Sequence, residues 1–486
     1  MHIRAVEIQS YDKNIYYSLC LLELMADGKA YKQADLADLL AVDVRSVQRL
    51  FEELSKNYNH FTETKLPLFK KIGPRYQLMI ADQPLEQEQF AIDLIRRSLA
   101  FRLLELVIAG QAKTVRDLSK KLYRSESTIR RKLKELAEKL EPLQLTVERG
   151  RVVFKAPESV VRMYLSVYYW RLFRGKIWPF APLHYQMIQK ISNGIQAFFQ
   201  VALNPLKAQR LEYLVGAHLL REAQHYTVED PLASQAVLAA NSLFKEFYTQ
   251  LRPIMPAYFQ TPRAMGNLFL NLLTREEYYH VPTITNKIHQ LLAQEPFLVM
   301  QEVATIDQSL KKKIDDPAVW KKFIDLQAED YLISGHLYYR LFPMIHFNIN
   351  GEAFWTNITQ QQPQLVTFVS EILAEHGGES ILFGRYLSVL RRLTELINRP
   401  TLGIFLQTDL PEFEETILKE DLRRFLANEY QVLFVEEKSE GNLCLTTSIL
   451  SEADQDLPTL LITQELRMSD YLALLQLLQG FGGKSF

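Results

Sequence analysis

Apolar residues recur at three- and four-residue spacing along two stretches of the N-terminal third, and a short polar turn interrupts each stretch. Leu36 to Leu54 aligns without gaps on Leu118 to Leu136, so that Leu36, Leu40, Val47 and Leu54 coincide with Leu118, Leu122, Ile129 and Leu136. The spacing predicts a short helix, a tight turn and a second helix in each copy, with Asp43 and Ser125 as the caps of the second helices. Earlier runs of helical period, roughly Lys13 to Met25 and Gln87 to Ala109, predict the helix that completes each three-helix core. After each copy the pattern becomes strand, turn, strand: Leu66 to Ile80 around Gly73-Pro74, and Leu143 to Ala156 around Gly150. Two winged helix-turn-helix units are the expected product.

Beyond them the helical period continues, and a second repeat emerges. Tyr213 to Arg221 aligns on Tyr331 to Arg340, preserving Tyr-Leu-(Val/Ile)-x-x-His-Leu, which implies two similar all-helical domains with His218 and His336 at the same place in each. After about Arg399, short apolar runs (Leu402 to Gln407, Gln431 to Glu436, Asn442 to Thr447, Pro458 to Thr463) alternate with helices over Glu412 to Asn428 and Arg467 to Leu478. These predict a small parallel α/β domain.

At 486 residues the chain exceeds what one core organises, and with 48% hydrophobic and 23% charged residues most of it is expected to fold. No apolar run approaches the ~20 residues a membrane span needs. The charged N-terminal segment and the two cysteines, Cys20 and Cys444, fit a cytoplasmic protein rather than a secreted one. Net charge is −1, so a nucleic-acid surface must come from local segregation of charge, and Ala112 to Lys155 provides it with 13 basic against 6 acidic side chains. Tyr31 to Ile80 is more nearly balanced, at 8 against 6.

In a winged unit the second helix lies in the major groove while the wing and helix ends hold phosphates. The candidate DNA-binding residues of the second unit are Ser125, Ser127, Thr128, Arg130, Arg131, Lys132 and Lys134, with Arg149 and Arg151 on the wing. Those of the first are Arg45, Ser46, Gln48 and Arg49, supported by Lys70, Lys71 and Arg75. The bland alternative is that these are merely solvated basic faces, or that one unit docks a partner. His218 and His336 are candidate phosphorylation sites, against the alternative of hydrogen-bonded core histidines. Arg221 and Arg340, three and four residues further on, are placed to receive the added charge.

No enzyme, cofactor or metal chemistry competes. There is no Cys/His set with zinc spacing and no Gly-x-Ser-x-Gly elbow, and His184, His280 and His376 have no partner in sequence. Gly482-Gly483-Lys484-Ser485 fails as a P-loop because Leu478 stands where the first glycine belongs.

In this order of parts the chain resembles the Mga/AtxA-type virulence transcription regulators of Gram-positive bacteria. The resemblance implies a mainly α, multidomain fold: winged helix-turn-helix units at 1–82 and 83–158, phosphotransferase-system regulation domains (PRDs) at 159–279 and 280–398, and an enzyme IIB-like α/β domain at 399–486. It further implies binding to double-stranded promoter DNA and histidine phosphorylation by phosphocarrier proteins of the sugar phosphotransferase system. Where enzyme IIB domains carry a phosphorylated cysteine, this chain has Leu406-Gln-Thr-Asp-Leu-Pro411, so the C-terminal domain is expected to serve homodimerisation. The competing readings are an RNA-binding antiterminator with PRDs and a phosphocarrier of the sugar relay.

Overall fold

A computed structural model describes residues 12–180, 183–230, 232, 234–314, 317–343, 345, 363–375, 380–397, 401–426, 430–447 and 457–479. His376 and the Gly482–Ser485 tail lie outside the described residues. The architecture is mainly α, with three small sheets among the described residues. The chain divides into two compact units, one built on Met1–Ser309, Glu329–Pro363 and Ile372–Gly384, the other on Leu310–Ala328, Gln364–Glu371 and Arg385–Phe486.

The chain opens with α1 (Lys13–Leu24), α2 (Gln33–Leu40) and α3 (Val44–Phe61). Leu19, Leu21, Leu22, Leu36, Leu40, Val47, Leu50 and Leu54 bury their side chains, which is the apolar period of the sequence turned into a core. Strands β2 (Phe69–Ile72) and β3 (Arg75–Leu78) form the wing, and a short β1 (Tyr31–Lys32) adds to the free edge of β3. Gly73 at φ 59° followed by Pro74 suits a two-residue type II′ turn, in which only the first position needs a positive φ.

The run from Gln87 to Ala109, expected as one helix, is two: α4 (Pro84–Arg97) and α5 (Leu99–Ile108). Ser98, at φ −61° and ψ 144°, ends the first and caps the second, its hydroxyl accepting from the Phe101 amide at 3.1 Å. Phe90 of α4 packs against Tyr58 and Phe61 of α3, whereas α5 continues into the second unit. There α6 (Val115–Leu122) and α7 (Glu126–Lys139) repeat the helix-turn-helix, followed by the hairpin β4 (Leu145–Glu148) and β5 (Arg151–Phe154).

Helix α8 (Glu158–Phe173) is buried on nearly all sides and packs most closely on α10 (Pro205–Ala223), with α9 (Tyr185–Phe199), α11 (Gln235–Ala240), α12 (Ser242–Leu251) and α13 (Pro262–Leu273) around them. A further helical stretch runs through α14 (Pro282–Leu292), α15 (Val299–Lys313), α16 (Pro317–Asp325), α17 (Ala328–Leu341), α18 (Pro363–Glu375) and α19 (Ser380–Ile397).

The C-terminal α/β elements are β6 (Thr401–Gln407), α20 (Glu412–Leu426), β7 (Gln431–Val435), β8 (Leu443–Thr446), β9 (Thr459–Leu461) and α21 (Met468–Gln479). All four strands are parallel, in the order β7-β6-β8-β9. Leu402, Ile404, Leu443 and Leu445 alternate onto one face and meet Leu418, Leu422 and Leu426 of α20 and Leu474 and Leu478 of α21. A Cβ at Gly403 would come within 2.8 Å of the Glu440 carbonyl oxygen, so glycine is required where that loop crosses the strand. Cys444 is buried within β8.

Candidate nucleic-acid interface

The two helix-turn-helix turns are built alike. Asp43 caps α3, accepting from the Ser46 amide at 2.8 Å and the Ser46 hydroxyl at 2.9 Å. These bonds hold the Asp43 carboxyl below its ordinary range and leave an anion at the helix start. Ser125 caps α7, its Oγ accepting from the Thr128 amide at 3.2 Å and lying 2.9 Å from both the Ser127 and Thr128 hydroxyls. Ser46, Ser125 and Thr128 are thus tied into caps, and their first duty is to order the turn.

Because Ile129, Leu133 and Leu136 face the core, Ser127, Arg130, Arg131 and Lys134 fall on the solvent side of α7. Arg130 lies 3.8 Å from Glu126 and Arg131 4.0 Å from Glu135, both exposed pairs of adjacent turns. Such pairs are worth little and exchange readily for a phosphate. Lys132 departs from the expected set: its ammonium turns back to Asp12 at 2.9 Å and to Glu135. Asp12 in turn accepts from the Leu99 amide at 2.7 Å, so Lys132 braces α7 against the start of α5 rather than facing outward.

Wing residues Arg149 and Arg151 are exposed. Arg149 at φ 48° and Gly150 at φ 83° form a hairpin tip with two positive φ angles, the type I′ geometry, which projects the Arg149 side chain from the end of the wing. In the first unit Arg45, Gln48 and Arg49 are exposed on α3, with Gln48 Nε2 donating to Glu52 at 3.3 Å, and Lys70, Lys71 and Arg75 are exposed on its wing.

Residues that the periodicity left unassigned are exposed at the turn before α7. Lys120 and Lys121 close α6, Arg124 lies in the turn, and Tyr123 between them is 89% exposed. An aromatic presented to solvent at a helix-turn-helix turn has no core role; the local signal was its neighbours' charge, not its own pattern. Among the described residues no group of histidine, cysteine and carboxylate side chains gathers as a metal site would require.

Residues 85–169 match the family described as the Mga helix-turn-helix domain. The chain carries a Mga-family helix-turn-helix domain. The matched range takes in α5, α6, α7 and the wing β4–β5, the elements that present Arg130, Arg131, Lys134, Arg149 and Arg151. The chain is also similar to a capsule synthesis positive regulator, AcpB of Bacillus anthracis, with 25% identity over 137 residues, a stretch covering 28% of this chain and 28% of that relative. No described helix is long and apolar enough to cross a membrane.

The two repeated histidines have different surroundings. His218 on α10 is fully buried, and neither ring nitrogen has a hydrogen-bond partner among the described residues. Burial, then the Arg162 and Arg275 cations, hold its pKa well below the ordinary value, so the ring is neutral. Arg221 does not face it: its guanidinium makes a bidentate pair with Glu158, at 2.8 and 2.7 Å, and stacks over Tyr226 at 3.7 Å. His336 on α17 sets Nδ1 3.2 Å from Glu302 of α15, and Arg340 pairs with the same carboxylate. Burial works against that carboxylate, but the hydrogen bonds from His336 and Arg340 prevail and keep its pKa below the usual range.

Proposed function

We propose that the chain is a transcription regulator of the Mga type that binds double-stranded promoter DNA through both winged units. The single observation that carries the reading is the solvent face of α7 and its wing, where Arg130, Arg131, Lys134, Arg149 and Arg151 stand without any buried partner in a Mga-family domain. Ser127 is exposed on the same helix, and Tyr123 is exposed in the turn before it. In the first unit Arg45, Gln48 and Arg49 take the corresponding places, and the anionic Asp43 cap weakens its share of phosphate binding.

The similarity to a positive regulator supports activation as the outcome. The helical stretches at 159–279 and 280–398 act in this reading as PRD-like domains that take a phosphoryl group at His218 and His336 from phosphocarrier proteins of the sugar phosphotransferase system. The IIB-like domain at 399–486 joins two copies. The receiving cations at His218 are Arg162 and Arg275 rather than Arg221, while at His336 Arg340 would have to leave Glu302.

The test is fluorescence anisotropy of the full chain with a labelled promoter duplex across a salt series, beside an RNA of matching sequence. Tight binding to the duplex that weakens with a steep log-log dependence on salt supports the reading. Preference for the RNA, or no binding to either, would sink it.

A further inference from the structure

The two helix-turn-helix segments, whose second helices start 82 residues apart at Val44 and Glu126, carry different chemistry on the same surface. At that offset the exposed Lys120, Lys121, Arg130 and Lys134 of the second unit correspond to Asp38, Leu39, Gln48 and Glu52 of the first, which are exposed as well. Arg131 keeps a cationic counterpart in Arg49. What replaces the other charges is partly apolar: Leu39 is 60% exposed and Val44 46%, although no core position requires them there.

A duplex backbone is held by cations, so Asp38, Asp43 and Glu52 give the first unit a poor phosphate face. Its second helix nevertheless opens with side chains suited to base edges, and the start of that helix is where a helix-turn-helix reaches them. Val44 and Gln48, four residues apart, stand on adjacent turns of one side of α3. An aliphatic side chain fits the thymine methyl, and a glutamine amide can donate to N7 and accept from N6 of one adenine. Gln48 Nε2 donates to Glu52 at 3.3 Å, a long, exposed bond that an adenine can replace.

Anchoring by one unit positions the other when the two are tied together. Asp12, the cap of α1, pairs with Lys132 of α7 at 2.9 Å and accepts from the Leu99 amide of α5 at 2.7 Å. Phe90 of α4 packs edge-on against Tyr58 of α3, with ring centroids 5.3 Å apart. The recognition helix of the second unit is thereby linked to the body of the first.

We propose, resting on the DNA-binding reading, that the winged units divide the work: α7 and its wing anchor phosphates, while α3 selects the sequence, with Val44 on a thymine methyl and Gln48 on an adenine. The preferred site therefore carries A·T pairs beneath the first unit. The carboxylates of Asp38 and Glu52 sharpen the choice, because they repel phosphates and leave base contacts as the main attraction of that unit.

The experiment mixes the full chain with a pool of duplexes bearing a randomised central segment, sequences the bound fraction against the input, and repeats the binding across a salt series. The parent is expected to enrich a motif containing A·T pairs. Gln48→Ala should lower the preference for its A·T pair about 10-fold, the discrimination of one bidentate contact. Val44→Ser should lower the preference by less, with recovery in Val44→Thr, which returns one methyl group. Neither substitution removes a charge, so the salt slope stays where it was. Arg130→Ala with Arg131→Ala does the reverse, weakening binding to every duplex and flattening the slope while the motif persists. Both α3 positions are exposed, and equal thermal midpoints check that folding is intact; if one variant fails to fold, the other decides. Binding without an enriched motif overturns the proposal, as does a motif that survives both α3 substitutions, which leaves Leu39 and Val44 to a protein partner. A chain that binds no duplex at all overturns the functional reading itself, and this division of work with it.

Discussion

Ala41 and Tyr123, 82 residues apart in sequence, adopt the same left-handed conformation, each at φ 53°, and each ends the first helix of its helix-turn-helix. The correspondence extends to the wings: Lys32 pairs with Arg75 in one unit and Thr114 with Arg151 in the other. The helix-turn-helix backbone is therefore repeated at one offset, while the length of the second helix, the turn of the wing and the charge are not. A non-glycine side chain in this conformation costs roughly 1 kcal/mol, and at position 123 that cost is borne by an aromatic ring that packs against nothing in the core.

Tyr123→Gly accordingly separates stability from binding. Removing the left-handed strain raises stability by up to about 1 kcal/mol, less the entropy glycine adds to the unfolded chain. If the ring touches the duplex, affinity for DNA falls in the same variant. Urea denaturation and anisotropy on one preparation read both quantities, and unchanged affinity would remove Tyr123 from the interface.

On α7, Arg130→Ala with Arg131→Ala is expected to reduce the slope of log affinity against log salt by about 0.9 for each phosphate that these side chains neutralise in the parent. Lys132→Ala makes the internal control. It breaks the link to Asp12 and should lower the thermal midpoint while leaving the slope alone. Equal slopes in all three proteins would take this helix out of the DNA.

The helix-turn-helix units, their wings and the parallel C-terminal sheet were legible because burial imposes a period, and Leu36 to Leu54 or Leu402 to Gln407 wear it openly. The break at Ser98 was not, since apolar spacing runs unbroken from Phe90 to Leu104 and a serine cap looks like any polar residue in a helix. Side-chain destinations were harder still. Lys132 reads as one more outward cation until Asp12 arrives from the start of the first winged unit. Arg221 reads as a neighbour of His218 until Glu158, 63 residues earlier, claims it. The one hint was Arg162, a charge inside the apolar run from Val160 to Val167, where only a paired side chain is tolerated.

Glu158 is the hub of that pairing, accepting from Arg162 and from both arms of Arg221. Glu158→Ala takes the carboxylate from the buried Arg221 guanidinium and leaves Arg162 with Glu222 alone, and is expected to destabilise the chain by roughly 3–5 kcal/mol. Glu158→Gln keeps the shape and one acceptor and should cost less. Chemical denaturation followed by far-UV circular dichroism measures both, and a loss under about 1 kcal/mol for the alanine variant would mean that water or relaxation replaces the carboxylate.

His218 sets an acid limit on stability. Its folded pKa lies well below the unfolded value of 6.5, so on acidification the unfolded chain takes up a proton that the folded chain refuses. The stabilisation is complete above the unfolded value and declines as pH falls from about 6.5 toward the folded one. Glu105 and Glu212, whose carboxyls burial raises, work in the opposite sense as pH falls from their raised values toward 4.5, because they bind protons more readily folded than unfolded. A thermal midpoint measured from pH 7.5 to pH 5 therefore carries both slopes, and His218→Gln removes one of them. The variant should lose less stability on acidification than the parent, or even gain. Parallel curves for the two proteins would mean that the ring is protonated within the fold, and that Arg162 and Arg275 do not govern it.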